Sequence, residues 1–161
     1  MTAPVGMLVV LAVLSVLGGV GVSADQASTI WIGTWRLNVA RSTFGAEPPP
    51  YKRATRTITP SADGLLIVDD LVRNRGGVLH LEWTGRFDGV DYPVEGVEAV
   101  LTNAYRCRDA RTCDLVQKLD GELIAAARLT ISPDGKTLTT VVASPTGGVA
   151  TVYERQAAYP P

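Results

Sequence analysis

His80, Glu82, Thr84 and Arg86 occupy every second position of the segment Val78 to Phe87. In an extended strand such residues share one face. An imidazole, a carboxylate and a guanidinium on one face could act as base, acid and anion clamp. Leu79, Leu81, Trp83 and Phe87 hold the alternate positions. That alternation makes the polar set the solvent face of a half-buried strand, which is the plainer reading. Asp69 and Asp70 are neighbours in a second apolar run, so in a strand one of them should turn inward. A buried carboxylate is costly unless paired. Arg56, on the face of Ala54 and Ile58, could pair with it, and that pair could orient a polar ligand. A bulge or strand end at Asp69-Asp70 is the preferred alternative. Trp83, Tyr105 and Tyr153 are the remaining pocket candidates, although they could equally fill a core. No hydrolase elbow, phosphate loop or metal cluster is present. The expectation is a non-enzyme with no catalytic residues, no bound metal and no cofactor.

Cys107 and Cys113 are the only cysteines. The stretch Tyr105 to Leu115 reads as a strand, a turn around Asp109-Ala110 and a returning strand, which sets Cys107 opposite Cys113. Directly opposed residues stand near the separation that a disulfide requires. Two free buried thiols and a metal pair are the alternatives. A zinc site takes four ligands, and the single histidine, His80, is distant in sequence. The spacing is not Cys-x-x-Cys, so a bridge here would be a staple and not a redox centre.

The elements that must position these residues are announced by glycine turns. Asp63-Gly64, Gly76-Gly77, Asp88-Gly89, Asp120-Gly121, Asp134-Gly135 and Gly147-Gly148 recur along the chain, and four of the five gaps between them are 12 to 14 residues. Such pairs supply the positive φ angles of tight hairpins. A run of hairpins closes on itself or leaves exposed edges, and closure removes the edges. The pattern predicts strands over Trp31–Asn38, Arg53–Thr59, Leu65–Arg73, Val78–Phe87, Val97–Arg106, Cys113–Leu119, Leu123–Ile131, Thr137–Ala143 and Ala150–Arg155. Residues 39–51, with Pro48, Pro49 and Pro50, read as an irregular connection. Ala125-Ala126-Ala127 favours helix, but alternating Leu123, Leu129 and Ile131 place it in a strand. The fold class is therefore all-β, a single up-and-down antiparallel barrel of about 8–10 strands.

The first 24 residues carry no charge and end in Val22-Ser23-Ala24. They read as a signal peptide cleaved after Ala24, with an uncleaved N-terminal anchor as the alternative. The expected organisation is a leader over 1–24, one barrel domain over 25–156 and a disordered tail over 157–161. The net charge is −1, and twelve of the fifteen basic residues are scattered arginines. That balance speaks against nucleic acid. No membrane span is expected after cleavage. The expected state is a secreted or periplasmic monomer.

Two end segments carry a family likeness. Ile32-Gly33-Thr34-Trp35-Arg36-Leu37 resembles the Gly-x-Trp signature of the calycins, which include lipocalins and intracellular fatty-acid-binding proteins. Val152-Tyr153-Glu154-Arg155 resembles their closing strand. The resemblance implies that Trp35 packs at the closed end of the barrel under the guanidinium of Arg155. Tyr92 to Gly96 and the Asp-Gly-Lys turn at Asp134 to Lys136 look like secreted bacterial proteins of lipocalin-like type. Two departures stand out. Fatty-acid-binding proteins hold a ligand carboxylate with an Arg-x-Tyr pair on the last strand, and Thr151 stands where that Arg would be. They also carry a helical lid after the first strand, where this chain has Pro48 to Pro50. The resemblance implies a container for a small, mostly apolar ligand. A filled-core barrel that serves as a structural or interaction module of the cell envelope is the alternative.

Overall fold

The computed structural model describes residues 29–45, 47–143 and 148–158. The leader at residues 1–24, Gly147 of the last turn pair and residues 159–161 of the tail lie outside the described residues. Eleven strands run in chain order: β1 (Gly33–Leu37), β2 (Thr43–Phe44), β3 (Tyr51–Ser61), β4 (Gly64–Arg73), β5 (Val78–Gly85), β6 (Tyr92–Glu95), β7 (Leu101–Cys107), β8 (Thr112–Leu119), β9 (Glu122–Ile131), β10 (Thr137–Val142) and β11 (Val149–Arg155). Except for β2, each pairs antiparallel with its sequence neighbours, and β1 pairs with β11. The result is a closed ten-stranded barrel, with β2 added beside the start of β11. The first and last strands meet in the register Trp35 to Arg155 and Leu37 to Tyr153.

Three details differ from the sequence reading. The strand expected over Val97–Arg106 begins at Leu101, and residues 96–100 form the loop that precedes it. A separate strand, β6, precedes that loop, with Pro93 opposite Thr102. A proline there lowers strand propensity, which hides β6 from pattern reading. Residues 39–51 are not wholly irregular: Val39–Arg41 form a short 3-10 turn, and β2 follows it. Asp69-Asp70 marks neither a bulge nor a strand end. Both lie inside β4 with unbroken pairing on either side.

Side-chain alternation sorts each strand into an inner and an outer face. The inner face is sealed at the end where β1 begins. Trp31, Trp35, Ile58, Ile67, Trp83 and Leu138 are all buried there. Towards the other end the inner positions open: Cys113 is buried while Leu115 and Gln117 are half-buried, and Leu138 is buried while Thr140 and Val142 are half-buried. Among the described residues the barrel therefore has one closed and one open end.

Candidate functional site

The closed end is held by Arg155. Its Nε, Nη1 and Nη2 donate to the carbonyls of Gly135, Ile32 and Ile30 at 2.7, 2.6 and 2.5 Å. Its guanidinium carbon lies 4.0 Å from the centre of the Trp35 ring. Burial lowers the Arg155 pKa from its ordinary value. Gly33 makes this approach possible: a Cβ there would sit 2.6 Å from Arg155 Nη1, and its φ of +141° suits glycine. Trp35 Nε1 donates to the Trp31 carbonyl at 3.0 Å, and Trp31 Nε1 donates to the Ala110 carbonyl at 3.1 Å. Trp31 thereby links the first strand to the β7–β8 hairpin. Cys107 and Cys113, opposite each other across that hairpin, form a disulfide.

Above this floor, aromatic rings fill the barrel. Trp83 and Tyr105 stand 4.8 Å apart between centroids, edge to face, and Phe87 lies 5.2 Å from Tyr105. Such pairs stabilise by about 0.5–1.5 kcal/mol beyond their buried area. Trp83 Nε1 donates to the Asn103 carbonyl at 3.1 Å. Trp83 and Tyr105 are 2% and 1% exposed, so both belong to the packed half of the barrel.

The next layer is polar. Arg56 on β3 and Asp69 on β4 are direct cross-strand partners on the inner face. Nε and Nη2 of Arg56 donate to the two carboxylate oxygens of Asp69, both at 2.8 Å. The side chains are only 14% and 16% exposed. Burial works to lower the Arg56 pKa and the Asp69 carboxylate outweighs it, so the net shift is upward. Arg56 thus keeps its charge, and the Asp69 carboxylate lies directly against it. Arg56 lies 6.0 Å from the centre of the Tyr153 ring. Burial raises the Tyr153 hydroxyl to about 12 and also raises Tyr105. Both phenols therefore stay protonated as donors. Arg56 spends Nε and Nη2 on Asp69, and no hydrogen bond of its Nη1 or of the Tyr153 hydroxyl is seen among the described residues, where no fully buried side-chain N or O is unsatisfied. Gln117 Nε2 donates to Asn103 Oδ1 at 3.0 Å on the same inner face.

Arg56, Tyr105 and Tyr153 thus share one interior region, with Trp83 beneath them. Asn103 and Gln117 were not singled out in the sequence, although Asn103 stands at the same strand parity as Leu101 and Tyr105. Parity is the signal that could have found it. His80 stands on the outer wall. Its Nδ1 and Nε2 lie 2.7 and 2.9 Å from carboxylate oxygens of Asp70 and Glu82. Hydrogen bonds to Asp70 and then Glu82 raise its pKa above 6.5. Arg86 is not part of this group; its Nε donates to the Asp63 carbonyl.

No known family profile matches the chain, and no curated protein matches it. Among solved structures, a point mutant of the fluorescent protein UnaG is similar, with a TM-score of 0.54 and 12% identity over 80% of this chain and 98% of that one. At that identity the likeness bears on fold alone. Together with barrel closure between the Gly33-x-Trp35 strand and the Arg155 strand, it makes the fold calycin-like. No helix among the described residues is long and apolar enough to cross a membrane.

Proposed function

We propose that this barrel is a lipocalin-like carrier, exported to an oxidising compartment, that holds one small and mostly apolar molecule bearing an uncharged polar group. The observation that carries the reading is the state of Arg56. Asp69 balances its charge through Nε and Nη2, which leaves Nη1 for a further acceptor. With the Tyr153 hydroxyl it offers donors to a carbonyl or hydroxyl oxygen. A carboxylate would leave the layer with net negative charge in a poorly solvated site, which is unfavourable. Thr151 agrees with this selectivity, because a second cation beside Tyr153 is missing. Trp83 and Tyr105 would form the apolar floor under the ligand. The disulfide suits an oxidising compartment and hence export.

The second reading is a filled-core module of the envelope. The Trp83, Phe87 and Tyr105 cluster favours it. The half-buried inner positions of β8 to β11 favour the carrier. Native mass spectrometry of full-length protein purified from the medium and envelope of its host tests the choice. A stoichiometric adduct of a neutral lipid-like molecule supports the carrier, and a bare protein mass in every preparation supports the module.

A further inference from the structure

Six of the eight large exposed apolar side chains among the described residues gather at one end of the barrel, Val90 and Val141 being the exceptions. Val78, Val97, Val100, Leu119, Leu123 and Ile124 stand at the open end, in or beside the turns that join β4 to β5, β6 to β7 and β8 to β9. Val78 is 70% exposed and Leu123 64%. The last two of these turns are bound together. Asp120 N–H donates to the Val100 carbonyl at 2.8 Å, and the Asp120 carboxylate accepts from Val100 N–H at 3.1 Å. Val100, Leu119 and Leu123 therefore form one apolar arc along the rim. Concentrated exposed apolar surface marks an interaction site more often than chance.

Charge is segregated around the same rim. Lys52, Arg53, Arg73 and Arg75 lie at the start of β3, the end of β4 and the turn that follows. All four are exposed, and none has a salt bridge among the described residues. Glu98 and Asp120 lie in the β6–β7 and β8–β9 turns and Glu122 opens β9, within the apolar arc. In the closed strand order the β8–β9 turn lies across the mouth from β3 and β4, with the β6–β7 turn beside it.

We infer that the open end is a self-association surface, on which two copies of this chain meet mouth to mouth about a two-fold axis. A two-fold interface is reciprocal, so a contact of one sector with another is made twice, once in each direction. Here it brings the basic sector of each copy over the acidic sector of the other, so that Val78 and the apolar stems of Lys52, Arg53, Arg73 and Arg75 cover the opposing apolar arc. An anionic lipid surface matches only the basic sector and repels the acidic one. A second copy satisfies all three features together. The monomer expected from the sequence is then the dilute form. Pairing closes each barrel against bulk water, and it does so whether or not a ligand is inside.

Sedimentation velocity of the full chain without added ligand, over about 1 to about 100 μM, reads the association directly. The expected result is a mass that rises from one chain towards two and falls back as salt screens the rim. Two rim variants sharpen the test. Arg73→Glu with Arg75→Glu leaves Lys52 and Arg53 but makes the rim largely acidic, and Glu98→Lys with Glu122→Lys makes it largely basic. Each alone should stay monomeric, and an equimolar mixture should pair one to one, which also shows that both variants are folded. A wild-type monomer at every concentration would overturn the inference. So would variants that fail to pair when mixed, or flotation with phosphatidylserine vesicles in the absence of self-association.

Discussion

The Arg155 guanidinium sits 4.0 Å from the centre of the Trp35 ring, and the two residues are direct partners in the β1–β11 register. The last strand thereby clamps the first, and the same guanidinium reaches the carbonyls of Ile30, Ile32 and Gly135. Trp35 is fully buried. Trp35→Ala should cost about 3–5 kcal/mol. Arg155→Met removes the cation and leaves buried carbonyls unpaired, and should cost at least about 2 kcal/mol. Urea melts check both, and a loss below about 1 kcal/mol in either would contradict the clamp.

Breaking the Arg56–Asp69 pair from one side leaves a poorly solvated charge without its partner. Asp69→Asn and Arg56→Met should each cost about 3–5 kcal/mol. The double change to Met and Leu should cost less than either single change. A double-mutant cycle by denaturant unfolding measures this, and simple additivity would contradict an ionised pair.

The Cys107–Cys113 bridge closes a short loop, so it constrains the unfolded chain modestly. Cys107→Ser with Cys113→Ser should lower stability by about 2–3 kcal/mol without altering the fold. Wild-type protein in strong reductant should melt at nearly the same point as the double variant. Equal melting of wild-type protein with and without reductant would contradict a stabilising bridge.

His80 acquires carboxylate partners from both β4 and β5, while Glu95 opposes Glu82 across β5 and β6. Its pKa rises above 6.5 on folding. Stability from a raised pKa is complete below the unfolded value and is lost as pH climbs through the folded value. The melting temperature of wild type relative to His80→Gln should therefore fall as pH rises from about 6 to about 8. A difference that is flat with pH, or that grows with it, would contradict the bonded imidazole.

Barrel closure was legible because it rests on turn glycines and strand parity, both written locally. The inner and outer faces of Val78 to Phe87 followed from alternation alone. Tyr92–Glu95 escaped notice because Pro93 argues against a strand, and only pairing with β7 decides otherwise. Asp69 was misjudged for a similar reason. A lone inward carboxylate looks like a defect until its partner thirteen residues away is seen to offer two aligned donors. Trp31 shares the parity of Trp35 and Leu37, but it precedes β1, and the Ala110 carbonyl that holds it across the barrel floor is not visible in the segment. Long-range partners of this kind are properties of the closed fold and not of any segment.

The charge-neutral interior is tested most directly by competition for a fluorescent apolar probe. Full-length protein would be titrated with N-phenylnaphthylamine, and the probe displaced with dodecanol or with dodecanoate. The account predicts that the alcohol competes at least about tenfold better than the carboxylate, a difference of about 1.4 kcal/mol, and that Asp69→Asn shifts the preference towards the carboxylate. Stronger competition by dodecanoate in the wild type, or no probe uptake at all, would contradict it.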